Sequence, residues 1–236
     1  MKQLTAAWFE FNDVRSDSRH VRLMAMPRRP IAAEQGEQIE IPGRDGYLWS
    51  ERRDARRPIV IPVECTTTDG YSPQRTAAWL SGSGLLRFSD EPNRAYRARV
   101  IDEYVRESMF LRFDAQKFTV NFACQPHRYF YPEYSAERLY SPGVIANPGT
   151  ADSLPRITIV GSGDMSVYIG GYLIDVSGGS VIVDSELMDC FGLDGVTLAN
   201  RRVKMDEFPM LLPGGNAVSW SGSVSEIIID GRWRDL

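Results

Sequence analysis

The chain has 236 residues, 43% of them hydrophobic and 25% charged, with a formal net charge of −4. That is the composition of a folded globular protein able to bury a core without staples, and it excludes an overall electrostatic drive toward nucleic acid or anionic membrane. Nowhere do about 18 apolar residues run together, so no membrane span is expected. The start, Met1-Lys2-Gln3-Leu4-Thr5, lacks the apolar run of a secretory signal. Cys65, Cys124 and Cys190 are odd in number and far apart. They fit neither a disulfide framework nor a CxxC metal pair, and read as buried free thiols made in a reducing compartment.

In chain order, Trp8-Phe9-Glu10-Phe11 and Val21 to Met26 are short, aromatic or β-branched runs that favour strands. Between Met26 and Tyr47, Pro27, Pro30, Gly36, Pro42, Gly43 and Gly46 forbid a persistent helix. With Gln38-Ile39-Glu40-Ile41 alternating, this stretch is expected to form an extended arm or long hairpin whose backbone wants a partner. The run Glu51-Arg52-Arg53-Asp54-Ala55-Arg56-Arg57 mixes acids with bases and has no stacking aromatics. It reads as a solvated loop or subunit contact rather than a nucleic-acid site. Pro58 to Cys65 is a strand whose prolines indicate an edge or bulge. Ser72 to Gly82 is the one convincing helix: Ser72 caps it, Pro73 fits its first turn, Gly82 stops it, and Thr76, Trp79 and Leu80 form its buried stripe. Strands follow at Leu85–Phe88, Tyr96–Ile101 and Lys117–Cys124. In the last, Phe118, Val120, Phe122 and Cys124 share one face.

The pattern breaks around Gln125 to Pro132, and a domain boundary is placed there, giving units 1–132 and 133–236. Charge divides similarly: residues 1–130 hold 20 Lys/Arg and 17 Asp/Glu, while 131–236 hold 7 and 14. The second part reads as short strands joined by tight turns. Ile157–Val160 precedes a turn at Gly161-Ser162-Gly163-Asp164. A hairpin turns at Gly170-Gly171, and Gly178-Gly179 separates it from Ser180–Asp184. Val218–Ser221 and Ser225–Asp230 complete a sandwich or jelly roll.

No constellation for chemistry stands out. Only His20 and His127 could serve a Ser-His-Asp device or imidazole metal site. Asp102 and Glu103 are adjacent and point to opposite faces of a strand. Asp184 and Glu186 share a face, the minimum for a glycosidase pair, but sit at a strand end where acids commonly form turns. A calcium role for them is disfavoured. Gly161-Ser162-Gly163 lacks the following helix of a phosphate loop. Trp220 with Tyr168 or Tyr172 offers a sugar-stacking platform, against the commoner role of filling a sandwich core. No catalytic residue, metal ligand or cofactor is assigned.

The order of these segments is similar to one known family. It runs from the aromatic first strand through the arm ending Pro42-Gly43-Arg44-Asp45-Gly46, the helix with Trp79-Leu80, Tyr96-Arg97-Ala98-Arg99-Val100 and Phe118 to Pro126. It continues with Asn147-Pro148-Gly149-Thr150, Pro155 to Ile159, Gly161-Ser162-Gly163, Val181 to Glu186 and Phe208 to Asn216. Over nearly the whole chain this resembles the siphophage distal tail protein, the phage tail component family. The resemblance implies a mostly β protein: an N-terminal tail-tube-like β-sandwich or barrel with one helix, and a C-terminal galectin-like or carbohydrate-module-like β-sandwich. It also implies a non-enzymatic homohexameric ring at the distal end of the virion tail, made in the host cytoplasm. The ring would join the tail-tube protein to the tail-tip or fibre protein, near the tape-measure protein, with DNA passing its channel unbound. Within that frame Arg28, Arg29, Ile39, Ile41, Arg44 and Asp45 are candidate subunit contacts. The alternative, a glycan-binding module, would use Tyr172 and Trp220.

Overall fold

The computed structural model describes residues 7–102, 107–109, 112–131 and 136–236, with side chains at all of these except 51–55, 107–109 and 112–115. The described chain is mostly β with a single α-helix. It divides into two compact units, Met1–Arg128 with Leu236, and Tyr129–Asp235.

The first unit is built on an open sheet. Its strands lie side by side in the order Val14–Arg15, Phe9–Phe11, Ser83–Phe88, Glu91–Ile101, Arg112–Phe130, Ile59–Thr67 and Val21–Leu23. Strict alternation decides which face is buried. Ile59, Ile61, Val63 and Cys65 point inward, directly opposite Cys124, Phe122, Val120 and Phe118 of the antiparallel neighbour. Pro62 sits among them without breaking the ladder. The Met24 N–H donates to the Glu64 carbonyl, so Glu64, and by alternation Pro62, turn their backbone groups toward the Val21–Leu23 side. The missing proline donor therefore removes no bond to the long strand.

The helix Pro73–Trp79 closes this core. The Ser72 hydroxyl accepts from the Arg75 N–H, and Pro73 occupies the first turn. Thr76, Trp79 and Leu80 are buried. The Trp79 indole stacks on Phe9 with centroids 5.2 Å apart, and its N–H donates to the Phe11 carbonyl at 2.8 Å. A buried indole thus gains both area and a satisfied donor.

Two expectations are corrected here. The strand expected to end at Cys124 runs from Arg112 to Phe130, through Pro126. Beyond the proline the backbone finds a new partner, as the Phe130 N–H donates to the Trp233 carbonyl at 3.1 Å. The run Glu51 to Arg57 is not a loop, because Tyr47–Arg56 is a strand. It pairs antiparallel with Glu34–Glu40 in a two-stranded sheet of its own.

In the second unit the expected turn at Gly161–Asp164 is absent. Arg156–Ile169 is one continuous strand, paired along its length with another, Gly214–Asp230. The pairing slips between Val160 and Gly161 and again between Ser162 and Met165, with Gly222 opposite at φ 88°. These are β-bulges, which bend a strand without ending it. The bend gives one long strand two different neighbours: Val181–Asp184 pairs with residues 156–159, and Tyr172–Val176 with residues 165–169. A single eight-stranded sheet thereby encloses a core that includes Ile145, Ile157, Ile159, Val167, Ile169, Ile174, Val183, Leu211 and Ile227. Gly170 and Gly171, at φ 59° and 95°, make the tight turn between Arg156–Ile169 and Tyr172–Val176.

Candidate interaction surface

The hairpin Glu34–Glu40 with Tyr47–Arg56 is the most unusual surface of the first unit. Its tip is set by glycines at φ 81° (Gly43) and 80° (Gly46), with the Arg44 N–H donating to the Ile41 carbonyl at 3.2 Å. The register pairs Ile39 with Leu48, Gln38 with Trp49 and Glu40 with Tyr47. Ile39 and Leu48 therefore share one face, joined two residues on by Ile41, while Tyr47 and Trp49 share the other. All five are exposed, at 45% (Ile39), 40% (Ile41), 58% (Tyr47), 41% (Leu48) and 46% (Trp49). Gly36 lets the Trp49 indole lie on bare backbone, since a Cβ there would collide with the ring. A two-stranded hairpin is marginal in water by itself, and this one leaves apolar side chains on both faces open.

Of the sequence-derived contact candidates, Ile39, Ile41, Arg44 and Asp45 lie exposed on or near the hairpin tip, and Arg28 is exposed at its approach. Arg29 differs. Its guanidinium bonds both oxygens of Asp90, reaches Glu91 at 3.5 Å and lies 5.2 Å over the Phe88 ring, all within the unit. Tyr47, Leu48 and Trp49 were not among the candidates. Their signal was present: a run of three large apolar residues directly after Asp45-Gly46, a dipeptide that favours hairpin turns.

The sites weighed for chemistry are held in other roles. Asp184 is buried, and Arg232 grips both its carboxylate oxygens at 2.8 Å while reaching Glu186 at 3.1 Å. Asp184 Oδ1 also accepts the N–H groups of Glu186 and Leu187. Burial pushes the Asp184 carboxyl up, but the Arg232 hydrogen bond and charge with the two backbone donors outweigh it and hold the group below its ordinary value. A carboxyl held ionised by a guanidinium, as Asp184 is, is the reverse of a proton-donating acid.

His20, at φ 58°, closes a 3₁₀ turn, and its carbonyl accepts from Thr68. His127 lies within the long strand. Of the adjacent acids, Asp102 is exposed at φ 62°, and Glu103 lies outside the described residues. Trp220 is aligned with Val167 and Tyr172 with Ile169, whose side chains are fully buried, so both face the core. Tyr168, 49% exposed, faces the opposite way. Tyr168 therefore does not share a face with Trp220. Among the described residues no cluster of three His, Cys, Asp or Glu could hold a metal ion, and no helix is long and apolar enough to cross a membrane. The three cysteines are free and buried, and burial drives Cys65 and Cys124 to about 12 and Cys190 to about 11.

Residues 16–124 match the model of the phage tail protein RIFT-related domain. No curated protein sequence matches the chain. Among solved structures, the chain is similar to the SPP1 Dit protein, described as a paradigm of the hub adsorption apparatus in phages infecting Gram-positive hosts. The TM-score is 0.73 at 16% identity, covering 98% of this chain and 100% of that one. It is also similar to chains of the phage P2 baseplate in its activated conformation, solved with Ca and with Sr. These give TM-scores of 0.52 and 0.51 at 10% and 9% identity, covering 95% of this chain and 98% of each of those. Residues 16–124 are thus similar to the phage tail protein RIFT-related domain, and over nearly its whole length the chain shares the fold of the SPP1 Dit protein.

Proposed function

We propose that the protein is the structural hub of a phage tail tip, a non-enzymatic ring that copies of this chain build by clasping one another. The hairpin carries this reading. It offers an aliphatic face of Ile39, Ile41 and Leu48 and an aromatic face of Tyr47 and Trp49, both open to solvent within their own unit. Apolar surface of this kind calls for a partner. The fold shared with the SPP1 hub protein and the phage P2 baseplate chains supports a place in a virion tail. The ring is a homohexamer that joins the tail-tube protein above to the tail-tip or fibre protein below, near the tape-measure protein. DNA crosses its channel without specific binding. In this role residues 1–132 are the ring-forming domain and 133–236 a β-sandwich, galectin-like in type. Arg28, Arg44 and Asp45 flank the apolar faces as polar rim contacts.

Light scattering and electron microscopy of the purified chain test the reading. The parent forms closed rings of uniform mass, and the triple substitution Ile39→Ser, Ile41→Ser, Leu48→Ser gives a folded monomer. Rings that persist in the triple variant would remove the clasp. A parent that stays monomeric at high concentration would remove the hub.

A further inference from the structure

We infer that Arg29 is a positioning residue that latches the hairpin to the sheet of its own subunit and so fixes the direction in which the hairpin projects. The stem of the hairpin is tied in two different ways. One set of bonds joins its two strands to each other: Arg56 Nη1 donates to the Ala32 carbonyl at 2.8 Å, Arg56 Nη2 meets Glu34 at 2.8 Å, and the Arg57 N–H donates to the Ala33 carbonyl at 3.3 Å. These hold the hairpin closed but leave it free to swing as a body. Among the described residues, two features fasten the stem to the sheet most directly. The first is the Ala32 methyl, buried in the core, which covers too little area to hold a lever of this length.

The second is Arg29, three residues earlier. Its fork closes on Asp90 and reaches Glu91, at the turn where the strands Ser83–Phe88 and Glu91–Ile101 meet, and its flat face lies over Phe88. Arg128 grips Glu91 as well, at 3.1 and 3.2 Å. Two cations and two anions thus meet at this turn, with the Arg29 side chain only 18% exposed. A bidentate guanidinium pair fixes angle as well as distance, which a lysine would not do. Pro27 and Pro30 bracket Arg29 and Pro58 follows the returning strand, so each connection to the hairpin has restricted torsions. A stiff stem with one oriented fastening holds a constant angle. The value of that angle for ring closure rests on the hub reading, since a pre-aimed clasp avoids an ordering cost on association. The latch itself does not depend on it.

The test is a pair of spin labels within one chain, at Ile39→Cys on the hairpin and Val60→Cys on the exposed face of the sheet. The native thiols are buried and high in pKa, so labelling is selective. Labelled chains are diluted into unlabelled protein so that only distances within a chain are read. The parent gives a narrow distance distribution. Arg29→Ala and the milder Asp90→Asn broaden it at least twofold, Arg29→Lys restores it only in part, and the exchanged pair Arg29→Glu with Asp90→Arg narrows it again. An unchanged width in Arg29→Ala and Asp90→Asn, or no recovery in the exchanged pair, overturns the latch. A monomeric parent would count against the hub alone, because the width is measured within a single chain.

Discussion

At the scale of single residues, the charged and sulfur groups show how burial settles roles. Cys65, Cys124 and Cys190 each lie on an inward-facing strand position, and a thiolate there would lose its hydration. All three thiols are therefore expected to stay silent to a disulfide reagent at pH 8 in the native protein and to react together on denaturation. A thiol count against denaturant checks this. Asp184 is the converse, a buried carboxylate kept ionised by its partners. Removing one member of such a pair strands the other, so Arg232→Ala should lower stability by about 3 kcal/mol in chemical denaturation. The pH dependence has a definite sign. With the folded value held below the ordinary 3.8, the unfolded chain binds the proton more readily, so the stabilisation is complete above about pH 4. It fades as pH falls through the depressed folded value. The stability difference between the parent and Asp184→Asn, followed by thermal melts from pH 7 to pH 2.5, should shrink only at the acid end.

At the scale of elements, the two long strands of the second unit depend on a local irregularity. Gly222 has φ 88°, and a Cβ there would run into the Asp164 carbonyl and the Met165 backbone. Gly222→Ala combines a left-handed conformation with a backbone collision, and should cost roughly 2 kcal/mol. Ala substituted at the neighbouring exposed Ser223 should be nearly neutral, and denaturation of the two variants side by side separates the bulge from the strand. The hairpin of the first unit shows a different balance. Its internal register is well specified by cross-strand pairs such as Ile39 with Leu48, yet neither apolar face meets a core. An edge or ribbon of this kind persists in soluble proteins when something covers it.

At the scale of the whole molecule, the proposed clasp of one copy's hairpin on the body of the next would be a head-to-tail contact. The surface that gives differs from the surface that receives, and a heterologous contact ends cleanly only when its rotation closes. Dilution series by light scattering should therefore show monomer and one assembled mass with little between. A continuous ladder of masses would mean open chains.

Much of this architecture was legible from local pattern. Ser72, Pro73 and the buried Thr76, Trp79 and Leu80 mark the helix because capping and amphipathicity act within a few residues. Alternation in Ile59 to Cys65 and Phe118 to Cys124 shows the inward faces because a half-buried strand must repeat every second residue. Local pattern could not tell that Gly161–Asp164 bends a strand instead of ending it. Glycines serve turns and bulges alike, and the choice lies with the partner strand some sixty residues away. Nor could it separate Arg28 from Arg29, two neighbouring cations. One is left in solvent and the other drawn onto Asp90 and Glu91 by a turn that only tertiary packing brings alongside. Composition and periodicity alone pointed to a β-rich protein with buried thiols and, among the described residues, one helix, since those follow from short-range sterics and burial. Which polar groups meet, where strands bend and which apolar faces stay open were decided by long-range pairing, whose energies no local window contains.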